Sequence, residues 1–227
     1  MKKLMLMVAM MVAAVSANAQ LEPGTFSIQP KAGATISWLS NMPKLGEGSY
    51  QLDKAPAVGA ILGAEAEYQL TEKFSVAAGI NYAQQGSAWS DYTYQVGNNK
   101  IEYKDLKIQL GYVNVPIVAN FYLFKGFAVK AGAQFGFLAS AKLKGKMEAE
   151  VNGTKASTDL DSKNFKDECK SLDISIPVGI SYEFNIPIVI DLRYNIGLTK
   201  VNKESDEGYK DFKNNVIQLT VGYKLAL

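Results

Sequence analysis

The chain has 227 residues, 48% of them hydrophobic, and its 24 Lys and Arg against 22 Asp and Glu leave a formal net charge of +2. That balance carries no electrostatic footprint for nucleic acid or a strongly acidic partner. Histidine is absent, which removes the commonest general base and the commonest transition-metal ligand, and the single cysteine, Cys169, excludes an internal disulfide framework.

Taken from the N-terminus, Lys2 and Lys3 precede an apolar run from Leu4 to Val15 and then Ser16-Ala17-Asn18-Ala19 before Gln20. A charged region, a hydrophobic region and a small-residue site in this order predict a secretory signal peptide over 1–19, cut after Ala19. The run is too short for a membrane-spanning helix, which needs about 20 residues. No later segment is long and apolar enough either, so any crossing is expected to be made by strands.

From Phe26 onward the apolar residues fall on one parity in segment after segment, the period of a strand with one apolar and one polar face. Strands are predicted at 26–38, 57–70, 74–86, 105–123, 127–140, 172–184, 187–200 and 215–227. The connections alternate long and short: Leu39–Pro56, Thr71–Lys73, Ser87–Lys104, Phe124–Gly126, Ala141–Ser171, Asn185–Ile186 and Val201–Asn214. Tight turns on one side and long loops on the other mark a transmembrane barrel rather than a soluble sandwich. The fold class expected for residues 20–227 is therefore all-β. It is an eight-stranded antiparallel up-and-down transmembrane β-barrel, with short periplasmic turns, long extracellular loops and both termini on the periplasmic side.

One parity is nearly free of charge, as in Val58, Leu62, Ala64, Ala66 and Tyr68 or Ile188, Ile190, Leu192, Tyr194 and Ile196. It is assigned to lipid, where a mid-plane lysine or arginine costs about 2–4 kcal/mol. The opposite parity carries Lys31, Glu65, Glu67, Lys130, Asp173, Glu183, Asp191, Arg193 and Lys224. Mixed signs converging from different strands predict a lumen network of ion pairs rather than an open charged pore, because an unpaired buried charge is costly. Gly33, Gly59, Gly63, Gly79, Gly132, Gly136, Gly179, Gly197 and Gly222 share that parity. The interior of an eight-stranded barrel is only just wide enough for side chains, so glycines there leave room for long charged ones. Aromatic residues near strand ends, such as Trp38, Tyr68, Phe74, Tyr82, Phe137 and Tyr182, predict two interfacial girdles.

One strand departs from the rhythm. Its apolar residues are even-numbered from Leu106 to Leu110 and odd-numbered from Val113 to Leu123. A β-bulge in this strand at Gly111-Tyr112 would restore the outward face; alternatively, Lys104–Leu110 projects above the membrane as a hairpin stem.

Tyr112-Val113-Asn114-Val115-Pro116-Ile117, Asp191–Thr199 and Gln218–Lys224 resemble the small outer-membrane β-barrel domain of Bacteroidetes known as the PorT family. The resemblance spans nearly the whole mature chain. It implies an eight-stranded outer-membrane barrel, in a family most of whose members have no assigned activity and whose namesake is associated with a secretion system. Two positions depart from the family pattern. Asn114 stands where relatives tend to place an acid, and the chain ends in Leu227 rather than an aromatic residue.

No catalytic, cofactor or metal site is predicted. Glu65 and Glu67 lie roughly 6.5–7 Å apart on one strand face, a spacing compatible with acid–base work, but the mixed-sign interior favours salt bridges to Arg193 or Lys130. Asp159–Asn164 fails as a calcium loop, with Lys163 at the third ligand, Asn164 at the required glycine and Lys170 at the terminal glutamate. Asn152-Gly153 predicts a hairpin within the longest loop. Lys142, Lys144 and Lys146 either meet lipopolysaccharide phosphates or form a solvated strand extension, and Cys169 is read as a lone thiol. The expected partners are outer-membrane lipid, lipopolysaccharide and a protein at the extracellular loops or periplasmic turns. The leading functional expectation is a non-enzymatic structural or partner-binding scaffold with a filled lumen. A narrow channel for small solutes and a soluble lipocalin-like ligand binder are the alternatives.

Overall fold

A computed structural model describes residues 22–45, 52–97, 99–151, 153–161, 164–203 and 211–227. The predicted signal peptide and its cleavage site lie outside the described residues, as do Asn152 and Lys163. Among the described residues there are twelve strands: β1 (Phe26–Leu39), β2 (Lys54–Ala55), β3 (Ala57–Thr71), β4 (Phe74–Trp89), β5 (Tyr92–Val96), β6 (Asn99–Phe124), β7 (Phe127–Val151), β8 (Thr154–Asp159), β9 (Leu172–Glu183), β10 (Ile188–Gly197), β11 (Asn214–Tyr223) and β12 (Leu225–Ala226). A 3-10 turn, Lys166–Glu168, lies between β8 and β9.

Eight of these strands close on themselves. The antiparallel order is β1-β3-β4-β6-β7-β9-β10-β11, and β11 returns to β1 through Lys31↔Gly222 to Leu39↔Asn214. Closure leaves no unpaired edge on the barrel wall, the condition for strands to cross a membrane. Tight turns at Glu72-Lys73 and Lys125-Gly126 join neighbouring strands at one end, and Gly126 adopts φ +79°, which a side chain would resist.

Alternation sorts the side chains. Val58, Leu62 and Ile80 are 69%, 67% and 58% exposed on the outer wall, whereas Ser27, Thr35, Ser75, Asn114 and Asn195 are buried inside. Rings mark both ends of the outer band. Phe124 stacks on Phe127 and Tyr182 meets Phe184 edge-on at the short-turn end, each at 4.8 Å, while Trp38 stacks on Tyr194 at 5.8 Å near the other. A lipocalin-like binder needs the reverse arrangement, apolar inside and charged outside, so that reading is set aside.

A bulge does fall at Gly111-Tyr112, but the extra residue is not in β6. β6 keeps one register against β4 from Phe74↔Phe121 to Ala88↔Lys107. The slip lies on its other side, where Gly111 pairs Ser140 and Tyr112 pairs Leu138, so the extra residue is Ala139 of β7. Even-numbered residues of β6 therefore continue inward, and Leu110 and Tyr112 are both fully buried. What changes along β6 is the interior they enter. Leu39, Met42, Trp89, Leu110, Tyr112, Ala141, Cys169 and Val201 form a buried apolar cluster, with Leu106, Ile108, Leu143, Phe165 and Phe212 packed against it. Above the membrane the barrel is surrounded by water, so its interior there resembles an ordinary soluble core.

β6 and β7 extend well past the wall as a hairpin stem, the alternative reading of Lys104–Leu110. Lys107–Leu110 pair with Lys144–Ala141, and Lys100–Lys104 with Glu150–Lys146. A bulge at Asp105-Leu106 separates the two stretches, and Asp105 takes φ +53°. β5 and β8 flank the stem to make a four-stranded sheet, and Val151 pairs Thr154 around Gly153 at φ +80°.

Candidate functional site

The barrel interior is the site, and strand alternation delivers its side chains. β1 contributes Lys31, β3 contributes Glu65 and Glu67, β7 Lys130, β9 Asp173 and Glu183, and β10 Asp191 and Arg193, while Lys224 follows β11. All nine side chains are buried.

Five of them form one cluster. Arg193 Nη1 and Nη2 donate to Glu65 Oε1 and Oε2 at 2.6 and 2.7 Å, and Nη2 also donates to Asp191 Oδ2 at 2.8 Å. Arg193 Nε lies 2.8 Å from Asp191 Oδ1, close enough for an ion pair but not aligned as a hydrogen bond. Lys31 Nζ donates to Glu65 at 2.5 Å and Lys130 Nζ to Asp191 at 2.6 Å. A bidentate guanidinium fork matches the planar Glu65 carboxylate, with Lys31 on a further lone pair of Glu65 and Lys130 on one of Asp191.

A second cluster lies one strand repeat towards the short-turn end. Lys224 Nζ sits 3.1 Å from Glu67 Oε2 and 2.9 Å from Glu183 Oε2. Tyr122 Oη and Ser75 Oγ donate to Glu67 Oε1 at 2.8 and 2.6 Å. The first cluster holds three cations and two anions, the second one cation and two anions, so their opposite excesses face each other inside the lumen. Asp173 stands apart from both, accepting from Thr199 Oγ1 at 2.7 Å. Asn114 donates Nδ2 to Asn81 Oδ1 at 3.0 Å, an uncharged amide pair.

Glycines sit directly across the ladder from these charges. Lys31 pairs with Gly63 and Gly222, Glu65 with Gly79, Lys130 and Arg193 with Gly179, and Asp173 with Gly136. A Cβ added at Gly79 would lie 2.5 Å from Glu65 Cγ, and one at Gly179 3.0 Å from Arg193 Cγ. The absent side chains are the space that the long charged ones fill.

Above this ionic layer lies the apolar cluster, which sequence reasoning missed. Met42, Trp89, Phe165 and Phe212 come from loops or strand ends and share no periodicity. The run of even-numbered Leu106, Ile108 and Leu110 is the available signal, but in the sequence it reads as a shift in parity. Cys169 lies in this cluster, and burial, with Glu168 adding to it, raises its thiol above the ordinary range. At the far tip Glu102 is held at about 2 by hydrogen bonds from Lys100 and Lys104. Among the described residues no group of three or more His, Cys, Asp or Glu is arranged to hold a metal ion.

A closed eight-stranded wall with an uncharged apolar exterior and a charged interior defines an integral β-barrel of the bacterial outer membrane. The tight turns then lie in the periplasm and the long loops outside. The chain belongs to the outer membrane protein beta-barrel domain family, whose model matches residues 18–203. No curated protein matches it significantly. Among solved structures it is similar to Ail, the attachment invasion locus protein of Yersinia pestis, with 16% identity, 89% of this chain and 99% of that one covered and a TM-score of 0.41. It is also similar to Neisserial surface protein A, with 14% identity, coverage of 88% and 96% and a TM-score of 0.41. OprG from Pseudomonas aeruginosa gives 13% identity, coverage of 92% and 99% and a TM-score of 0.37.

Proposed function

We propose that this protein is a non-enzymatic, non-conducting outer-membrane scaffold of the PorT type, made as a signal-peptide-bearing precursor, whose barrel anchors an elongated extracellular sheet. The carrying observation is a lumen closed twice. Its side chains are almost wholly shielded from solvent, with Arg193 2% and Asn195 1% exposed, and the ionic layer is roofed by the apolar cluster. Ion pairs that hold the wall from inside are the role we assign to Lys31, Glu65, Glu67, Lys130, Glu183, Asp191, Arg193 and Lys224, with Asp173 as a separate hydrogen-bonded group.

The activity left to such a barrel resides on its surfaces. We infer outer-leaflet lipid, lipopolysaccharide included, and a protein at the extracellular sheet or the periplasmic turns as its partners. Conductance across a planar bilayer tests the reading. The folded protein is expected to give no sustained currents, and a steady open level at moderate voltage would overturn the scaffold in favour of a solute channel.

A further inference from the structure

The outer face of the β6–β7 stem carries lysines that the rest of the structure leaves uncompensated. Ile108 and Leu143 enter the apolar cluster, so alternation turns Lys107, Lys142 and Lys144 to the outside. Lys107 and Lys144 are directly opposite each other across the ladder, and Lys142 is opposite Gln109. Like charges placed directly opposite on one sheet face are destabilising. Farther out on the same stem Lys104 likewise faces Lys146 and Glu102 faces Glu148, but there Lys104 lies within 4 Å of both glutamates. Lys100, Lys104 and Lys155, farther out on the same sheet, each lie within 4 Å of a glutamate, as do Lys31 and Lys224 in the lumen. Among the described residues, none of Lys107, Lys142 and Lys144 has a carboxylate within ion-pair distance.

Their height identifies the anion. Tyr82, Val113 and Phe137 form one row across β4, β6 and β7 and lie on the lipid face. Gln109 and Lys142 stand two such rows above it and Lys107 and Lys144 three rows above. With a rise of about 3.3 Å per residue and a strand tilt near 40°, these rows lie about 10 and 15 Å above the aromatic row. The headgroup layer adds roughly 5–8 Å beyond the hydrocarbon on each side. Lysine stems reach downward along apolar wall while their ammonium groups stay in the polar layer. Lys142 thus stands at the upper margin of the headgroup layer and Lys107 and Lys144 above it, on the lateral wall, where their stems turn down towards the phosphates and sugars of the outer leaflet.

We propose that Lys107, Lys142 and Lys144 form a binding site for the phosphorylated sugar headgroup of lipopolysaccharide. The anion neutralises the Lys107–Lys144 pair and fixes one lipid against the β6–β7 wall. The site rests on the reading that this end of the barrel faces outside, and is independent of whether the lumen conducts.

The test uses the full mature chain in nanodiscs carrying lipopolysaccharide, the same lipopolysaccharide with its phosphates removed enzymatically, or phosphatidylglycerol. Lipid retained after detergent release is counted by native mass spectrometry. Wild type is expected to keep phosphorylated lipopolysaccharide at least tenfold better than either control, and the K107Q/K142Q/K144Q variant to lose that preference. The variant K100Q/K155Q, at the lysines already paired to glutamates, should bind as wild type does, and so should K107R/K142R/K144R, which preserves charge. Equal retention of the dephosphorylated lipid, equal retention of phosphatidylglycerol or full retention by the triple glutamine variant would each overturn the site. Gel mobility before and after boiling verifies that each variant is folded; if the glutamine variant is not, failure of the arginine variant to bind overturns the proposal instead. Lipid retention reads the outer wall and conductance the lumen, so either reading fails separately.

Discussion

Among the described residues Lys224 is the one cation within ion-pair distance of Glu67 and Glu183, and replacing it with Met leaves both without such a partner. Lys224 Nζ is 3.1 and 2.9 Å from those carboxylates, and its side chain is 4% exposed. Breaking a buried pair by removing one partner costs about 3–5 kcal/mol, because the remaining charge stays desolvated and uncompensated. Here one substitution orphans two carboxylates, which places the expected loss near the upper end, about 5 kcal/mol. Arg193→Met is the informative contrast. It breaks more hydrogen bonds, yet Glu65 keeps Lys31 at 2.5 Å and Asp191 keeps Lys130 at 2.6 Å, leaving that cluster with equal numbers of each sign. Its cost is expected near the lower end, about 3 kcal/mol. Adding Glu183→Gln to Lys224→Met should return about 2 kcal/mol, since one of the two stranded charges is gone. Urea unfolding in lipid vesicles, followed by mobility of unboiled samples and by the fluorescence of Trp38 and Trp89, measures all three. If Arg193→Met proves more damaging than Lys224→Met, or the added Glu183→Gln returns nothing, the reasoning from charge balance is refuted.

Three further outcomes follow from the same geometry. Gly79→Ala drives a methyl towards Glu65 Cγ and the Ala64 carbonyl, and should cost about 1–3 kcal/mol in the same unfolding assay. Leu110→Ala empties part of the apolar cluster and should cost about 2–5 kcal/mol; because the ionic layer below is untouched, bilayer recordings should still show no sustained current. Cys169 is buried and its thiol is held above the ordinary range, so maleimide labelling at neutral pH should be slow in the folded protein and fast in urea. Raising the pH should speed labelling of the folded form only above the range where an exposed thiol already reacts at full rate.

The barrel wall was legible because lipid imposes a strict rule on one parity while the lumen imposes its opposite on the other. Predicted strands such as 57–70 and 172–184 match β3 and β9 to within a residue at each end. The lumen charges were legible as a set, but their grouping was not. Nothing in the spacing of Lys31, Lys130 and Arg193 says that all three meet Glu65 and Asp191 while Lys224 serves Glu67 and Glu183 and Asp173 turns to Thr199. Such partnerships depend on register and stagger around the ring, which no single strand encodes. The far ends of β6 and β7 were underestimated because alternation there no longer separates lipid from lumen. Above the membrane the outside is water and the inside is apolar, so Leu106, Ile108 and Leu110 invert the chemistry without inverting the backbone. Loop residues such as Met42 and Phe212 join that core through contacts remote in sequence, with no period to betray them.

The seam between β1 and β11 sets a kinetic requirement. Lys31 meets Gly222, and β12 reaches back to Ser27 and Ile28, so the earliest and latest strands must find each other before the ring exists. Pairings this distant carry a large loop-closure cost and are slow to form. Until they form, Arg193 and Glu65, 128 residues apart, have no enclosed interior to share and remain hydrated. Closure and dehydration of the charges are therefore one event, late in folding, and a chain stalled short of it presents two open strand edges and a row of hydrated ions to the bilayer. Entry into lipid is expected to wait for the last strand.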